Sequence, residues 1–188
     1  MEDLGEDLSR RARLDRFIAE RGAESIAHPG GTLLAHLRRV ADKLAEWGAD
    51  TDVQAAGLCH AAYGTDGFRQ ALVDPLDRPT LAALAGERAE ALVYLYGSCD
   101  RATVYPRLGS RPVVFRDRFT GLEHAPAEAD LRAFLEITVA NELDVLAYNA
   151  ELAAEHGAAL CRLFARCRGL LSAPAWQACE AQLGPAAS

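Results

Sequence analysis

The chain has 188 residues, half of them hydrophobic, which suits one sizeable core and is too apolar for a disordered chain. Its formal net charge of −7 and pI near 5.2 repel phosphate backbones, which argues against nucleic acid as the main partner. No stretch reaches about 18 consecutive apolar residues, so no membrane span is expected, and five cysteines with no C-x-x-C pair argue against a zinc ribbon or a disulfide framework.

The opening MEDLGEDLSRR lacks an apolar run, so no leader is expected, and the expected compartment is a reducing cytoplasm. Residues 7–21 read as a helix through the stripe Leu14, Phe17 and Ile18. HPGG at 28–31 breaks the chain, and Thr32 is placed to N-cap the next helix. That helix, TLLAHLRRVADKLAEWG, lines up Leu33, Leu37, Val40, Leu44 and Trp47 and stops at Gly48. Asp50 or Thr51 caps a helix over 52–62 that is apolar nearly all round, hence central. A turn at Tyr63-Gly64-Thr65 leads to a short helix over 66–73, and DPLDRP then interrupts before helical pattern resumes over 79–85 and 87–97.

Residues 99–120 are rich in Arg, Pro and β-branched residues and read as a long loop, with a two-stranded ribbon around Leu108-Gly109-Ser110. Within it Arg107, Arg111, Arg116 and Arg118 read first as solvated surface charge. Helices over about 127–153, 156–169 and 174–182 follow, and the GPAAS tail is expected to fray. The expectation is one all-α domain over 1–188, of seven to nine helices, with a core at about 25–153 and the C-terminal helices of 156–182 packed on it.

Polar side chains that share an apolar face mark where chemistry would sit. His36 has Leu33 three residues before it and Val40 four after, so it looks inward. His60 ends the apolar helix with Ala56 and Gly57 behind it. In the long C-terminal helix the stripe Leu131, Phe134, Leu135, Thr138, Val145 includes Asn141, and Asp144 is near the same face. A buried amide without partners costs about 1–3 kcal/mol, so inward polar groups on separate helices point to a shared site. His28 stands in the loop before His36. Cys59 reads as packing, because helix neighbours diverge by about 100°, and His124 and His156 read as surface residues.

The stretches His36-Leu37-Arg38-Arg39-Val40, Ala56-Gly57-Leu58-Cys59-His60-Ala61 and Ala140-Asn141-Glu142-Leu143-Asp144 together resemble the HD-domain superfamily, over roughly residues 25–150. That family carries H-x-x-x-V, a helix ending A-x-L-x-H-D, and a later A-D-x-x-D. The resemblance implies an all-α fold and a relation to metal-dependent phosphohydrolases, nucleotidases and di-iron oxygenases. On it, His36 and His60 stand at the metal-binding histidines, while Ala61 and Asn141 replace both aspartates and Gly64 replaces a lysine common in the hydrolases. Loss of both carboxylates removes the bridge between two metals and makes ordinary HD phosphohydrolase chemistry unexpected. HAAYGTDGF, preceded by LLAHLRRVADKLAEWG, also resembles an HD-related family with H-S-x-Y-G-T in place of the HD pair.

Three readings stay open from the residues. His28, His36 and His60 can ligate a single divalent iron or zinc, with Asn141 as a weak carbonyl ligand and a position left for water or substrate. Alternatively no metal is held, and the histidines work as acid and base beside Tyr63, with Thr65 and Asn141 orienting a carbonyl. This suits an isomerase, lyase, cyclase or hydrolase of a small molecule, in specialised biosynthesis. In the third reading the domain binds a ligand or partner and catalyses nothing. Arg101 and Arg118 are placed to hold a carboxylate or phosphate of the small-molecule substrate, although Asp100-Arg101 and Asp117-Arg118 also read as local ion pairs. A homodimer is open.

Overall fold

Thr32 and Asp50 both cap helices, and these two helices frame everything that follows. The Thr32 hydroxyl accepts from Ala35 N at 3.2 Å, and the Asp50 carboxylate accepts from Asp52 N and Val53 N at 3.1 and 3.0 Å. The structure is a computed structural model that describes residues 2–110 and 112–184; Arg111 of the arginine cluster and residues 185–188 of the tail lie outside the described residues. Among the described residues there are nine α-helices and two short antiparallel ribbons, so the molecule is mostly α. No described helix is long and apolar enough to cross a membrane.

The residues group into two compact units, Met1–Gly97 and Ser98–Ser188. The first begins with α1 (Glu2–Ile18), which passes into a π-turn at Ala19–Ala23. Strands β1 (Ala27–His28) and β2 (Gly31–Thr32) pair antiparallel and feed α2 (Leu33–Glu46). The apolar stripe of α2 is buried through Leu33, Leu37, Val40 and Leu44. It packs on α3 (Thr51–Cys59), whose side chains from Ala55 to Cys59 are buried, as expected of a central helix. Two more helices, α4 (Arg78–Ala85) and α5 (Glu87–Ser98), close this unit.

The second unit starts with a single helical turn, α6 (Arg101–Val104), capped by Asp100. Strands β3 (Phe115–Arg116) and β4 (Glu123–His124) form its ribbon. Helix α7 (Glu128–Tyr148) is followed by α8 (Ala150–Arg166) and α9 (Ala173–Leu183), which pack on one another.

Four expectations are revised. Residues 66–73 are not helical: Thr65 N donates to Phe68 O at 2.6 Å, and Leu72 N and Val73 N both donate to Ala62 O, so the chain is pinned as a loop. The long helix over 127–153 is two helices, split at Asn149, whose side chain accepts from Leu152 N and starts α8. The ribbon does not turn at Leu108-Gly109-Ser110. Tyr105–Arg107 is a 3-10 turn, and a Cβ on Gly109 (φ +91°) would lie 3.1 Å from Arg166 O, so this corner abuts α8 instead. The strands pair further along, at Phe115–Arg116 with Glu123–His124. His28 lies in β1 rather than in a loop.

Candidate functional site

The three histidines of the first unit come together as a column of rings. The His28 and His36 rings stack with centroids 4.1 Å apart and planes 27° apart. His36 meets His60 edge-on at 5.3 Å, and His60 meets Tyr96 edge-on at 5.0 Å. Phe68 caps the other end, 6.1 Å from His28. The column runs from half-exposed His28 to His36 and His60, which are 1% and 2% exposed.

Each ring is placed by local chemistry. The β1–β2 turn folds back over the start of α2, held by Leu33 N donating to Ile26 O at 2.8 Å. Arg39, one turn along α2, donates to Gly30 O at 3.3 Å and Pro29 O at 3.2 Å and ties the turn down. His28 is thereby laid on His36. His60 is the C-cap of α3, and its Nδ1 lies 2.7 Å from Gly57 O. A carbonyl oxygen only accepts, so Nδ1 carries the hydrogen, and in the neutral ring Nε2 is left with a lone pair. Phe68 is held by Thr65, whose hydroxyl accepts Phe68 N at 3.0 Å.

Tyr63 has a different neighbourhood. Its hydroxyl donates to Glu90 Oε1 at 2.9 Å, and Glu90 receives a two-pronged ion pair from Arg78 at 2.7 and 2.6 Å. The Arg78 guanidinium lies 4.0 Å over the Tyr94 ring. Burial, and then the hydrogen bond to the Glu90 carboxylate, raise the Tyr63 phenol well above its ordinary range. Glu90 and Arg78 escaped the sequence reading. The signal was present: Glu90 shares a face of α5 with Val93 and Gly97, all three buried, the test that found His36.

The remaining candidates lie in the second unit. Asn141, in α7, is buried and donates to Glu142 Oε1 at 3.3 Å, which also accepts Arg101 Nη1 at 3.1 Å. Arg118 stacks its guanidinium 4.2 Å over the Phe119 ring, and its backbone N–H donates to Ser98 O at 2.7 Å. Asp117 accepts the backbone N–H groups of Phe119 and Thr120.

A metal makes specific demands on such a site. Imidazole lone pairs lie in the ring plane, so a face-stacked pair such as His28 and His36 does not aim two of them at one point about 2.0–2.1 Å away. Among the described residues no group of three or more His, Cys, Asp or Glu side chains is arranged to hold a metal ion. Ala61, which follows His60, is buried and brings no ligand atom.

A family model described as "Domain of unknown function (DUF6817)" matches residues 17–101, less than half of the chain. The matched segment contains the whole ring column and the Tyr63–Glu90–Arg78 cluster, and little of the second unit. No curated protein and no solved structure matches the chain.

Proposed function

We propose that the chain is a small-molecule enzyme whose first unit performs metal-free acid–base chemistry at His60, in a fold derived from HD domains. The observation that carries this is the bond from His60 Nδ1 to Gly57 O, which holds the ring in the tautomer whose Nε2 accepts a proton. In the proposed step His60 Nε2 takes a proton from a carbon or hydroxyl of the bound molecule. The imidazolium then returns it to another atom of the same molecule, so no oxidant or reductant is needed. This is isomerase, lyase or cyclase chemistry, and it needs neither of the absent HD carboxylates. His36 and His28 extend the column toward solvent. Tyr63 and Thr65 act as positioning residues: the first is tied to Glu90, and the second fixes Phe68 against His28. The five cysteines are buried thiols, which supports a reducing cytoplasm.

The near-complete burial of His36 and His60 favours a second reading, in which the column is structural and the domain only binds a ligand or partner. The test is deuterium exchange. Wild type and His60→Ala are incubated in D2O with a panel of small carbonyl compounds, and C–H loss is followed by proton NMR. Exchange that is present in wild type, absent in His60→Ala and retained in Tyr63→Phe supports acid–base chemistry at His60. Binding without exchange across the panel leaves the binding module. About one iron or zinc per chain, lost in His36→Ala, would restore the metal reading.

A further inference from the structure

The second unit holds a groove of about 660 Å³ between α6, α7 and α8, within the roughly 300–1,000 Å³ that suits a small ligand. Its floor is apolar, with Leu146, Leu160 and Leu163 buried along it. Its rim is charged and unevenly so. Arg101 is neutralised by Glu142, 3.1 Å away. Among the described residues Arg166 donates to neutral carbonyls alone, Leu108 O at 3.4 Å and Tyr105 O at 3.3 Å. Among the described residues no carboxylate pairs with Arg162, which is exposed at the same rim.

Among the described residues two guanidinium charges therefore stand without a paired carboxylate beside an apolar floor, in a chain whose net charge is −7. A neutral apolar guest leaves that charge unanswered, and a small hydrophilic anion leaves the leucines wet. We infer that this groove binds an amphipathic organic anion, its apolar body on Leu146, Leu160 and Leu163 and its carboxylate, sulfonate or phosphate head on Arg162 and Arg166. The site is independent of the histidine column and of the chemistry proposed there.

The test uses two fluorescent probes of similar body: anilinonaphthalene sulfonate, which is anionic, and phenylnaphthylamine, which is neutral. Each is titrated into the full chain, with light scattering to give the oligomeric state. The sulfonate should saturate one site. Arg162→Glu should weaken it by about tenfold or more while changing the neutral probe less than about twofold, because only the head contact is lost. Ala159→Trp, at an exposed position on the groove wall, should remove both probes with circular dichroism unchanged. Absence of saturable sulfonate binding overturns the inference, as does equal weakening of both probes by Arg162→Glu. A dimer that Arg162→Glu converts to monomer also overturns it, since a second copy is then the occupant.

Discussion

At the scale of single residues, the first unit holds His60 and Tyr63 in different ways. His60 is oriented by one backbone carbonyl, whereas Tyr63 is absorbed into a buried ion-pair cluster with Glu90 and Arg78. The cluster should behave as a coupled unit. Tyr63→Phe removes one hydrogen bond but leaves Glu90 paired to Arg78, and should cost about 1 kcal/mol. Glu90→Gln leaves the buried phenol with a weaker acceptor and Arg78 without its counter-charge. Loss of one partner of a fully buried pair costs about 3–5 kcal/mol. The Arg78 side chain is 40% exposed, so water takes up part of its charge and about 2 kcal/mol is expected. A double-mutant cycle by urea unfolding should return a positive coupling energy below about 1 kcal/mol, since the amide keeps part of the bond. Additive losses would mean that the hydroxyl bonds no more strongly to the carboxylate than to the amide.

At the scale of elements, two glycines decide how closely the pieces that carry the rings approach. A Cβ on Gly57 would lie 2.3 Å from Leu44 Cδ1, the tip of a flexible side chain, so α2 and α3 meet where one of them has no side chain. A Cβ on Gly97 would lie 3.0 Å from Gly64 O and 3.3 Å from Tyr63 Cβ, and neither the backbone nor a Cβ can rotate away. Gly64 itself sits at φ +67°, which favours glycine. Both alanine variants overpack, at about 1–3 kcal/mol each. Gly97→Ala should fall at the upper end, since its neighbours cannot yield, and should perturb the Tyr63 ring resonances; Gly57→Ala should fall lower, with Leu44 repacked. Thermal melts and NMR check the order.

The same elements show what the sequence could reveal. Helical spacing placed His36 inward because the α2 stripe is regular over four turns. The caps Thr32 and Asp50 were readable because their hydrogen bonds span two or three residues. The loop at 66–73 was not, because hydrogen bonds to Ala62 O and Thr65 override a weak local preference for helix. The partners of Tyr63 were hidden for a related reason: Glu90 lies 27 residues away, and no local period links them.

At the scale of the whole molecule, burial shifts the titration of several thiols and of one carboxylate. Burial pushes the thiols of Cys59 and Cys179 up to about 12 and that of Cys167 to about 11, so these three should resist iodoacetamide near pH 8 in the native protein, and all five cysteines should label in denaturant, read by intact mass. Two carboxylates, one in each unit, set opposite responses of stability to pH. Asp15, in α1, is held below its ordinary value of 3.8 first by its hydrogen bond to Arg38. Its unfolded state therefore binds more protons in acid, and its contribution is present above 3.8 and lost as pH falls through the depressed value. Glu136, in α7, is raised above 4.5 by burial, against the lowering effect of hydrogen bonds from Ser172 N and Oγ at 2.6 and 3.1 Å. Here the native state binds more protons, so the contribution is full below 4.5 and declines as pH rises through the raised value. Wild type should thus gain on Asp15→Asn as pH rises through the acid range, then reach a plateau. It should lose ground to Glu136→Gln over the range just above 4.5, because the neutral amide has no charge to bury. Urea midpoints measured from acid to neutral pH, read by the fluorescence of Trp47 and Trp176, give both slopes. Parallel slopes for the two variants would mean that net charge, and not these two local environments, governs the pH response.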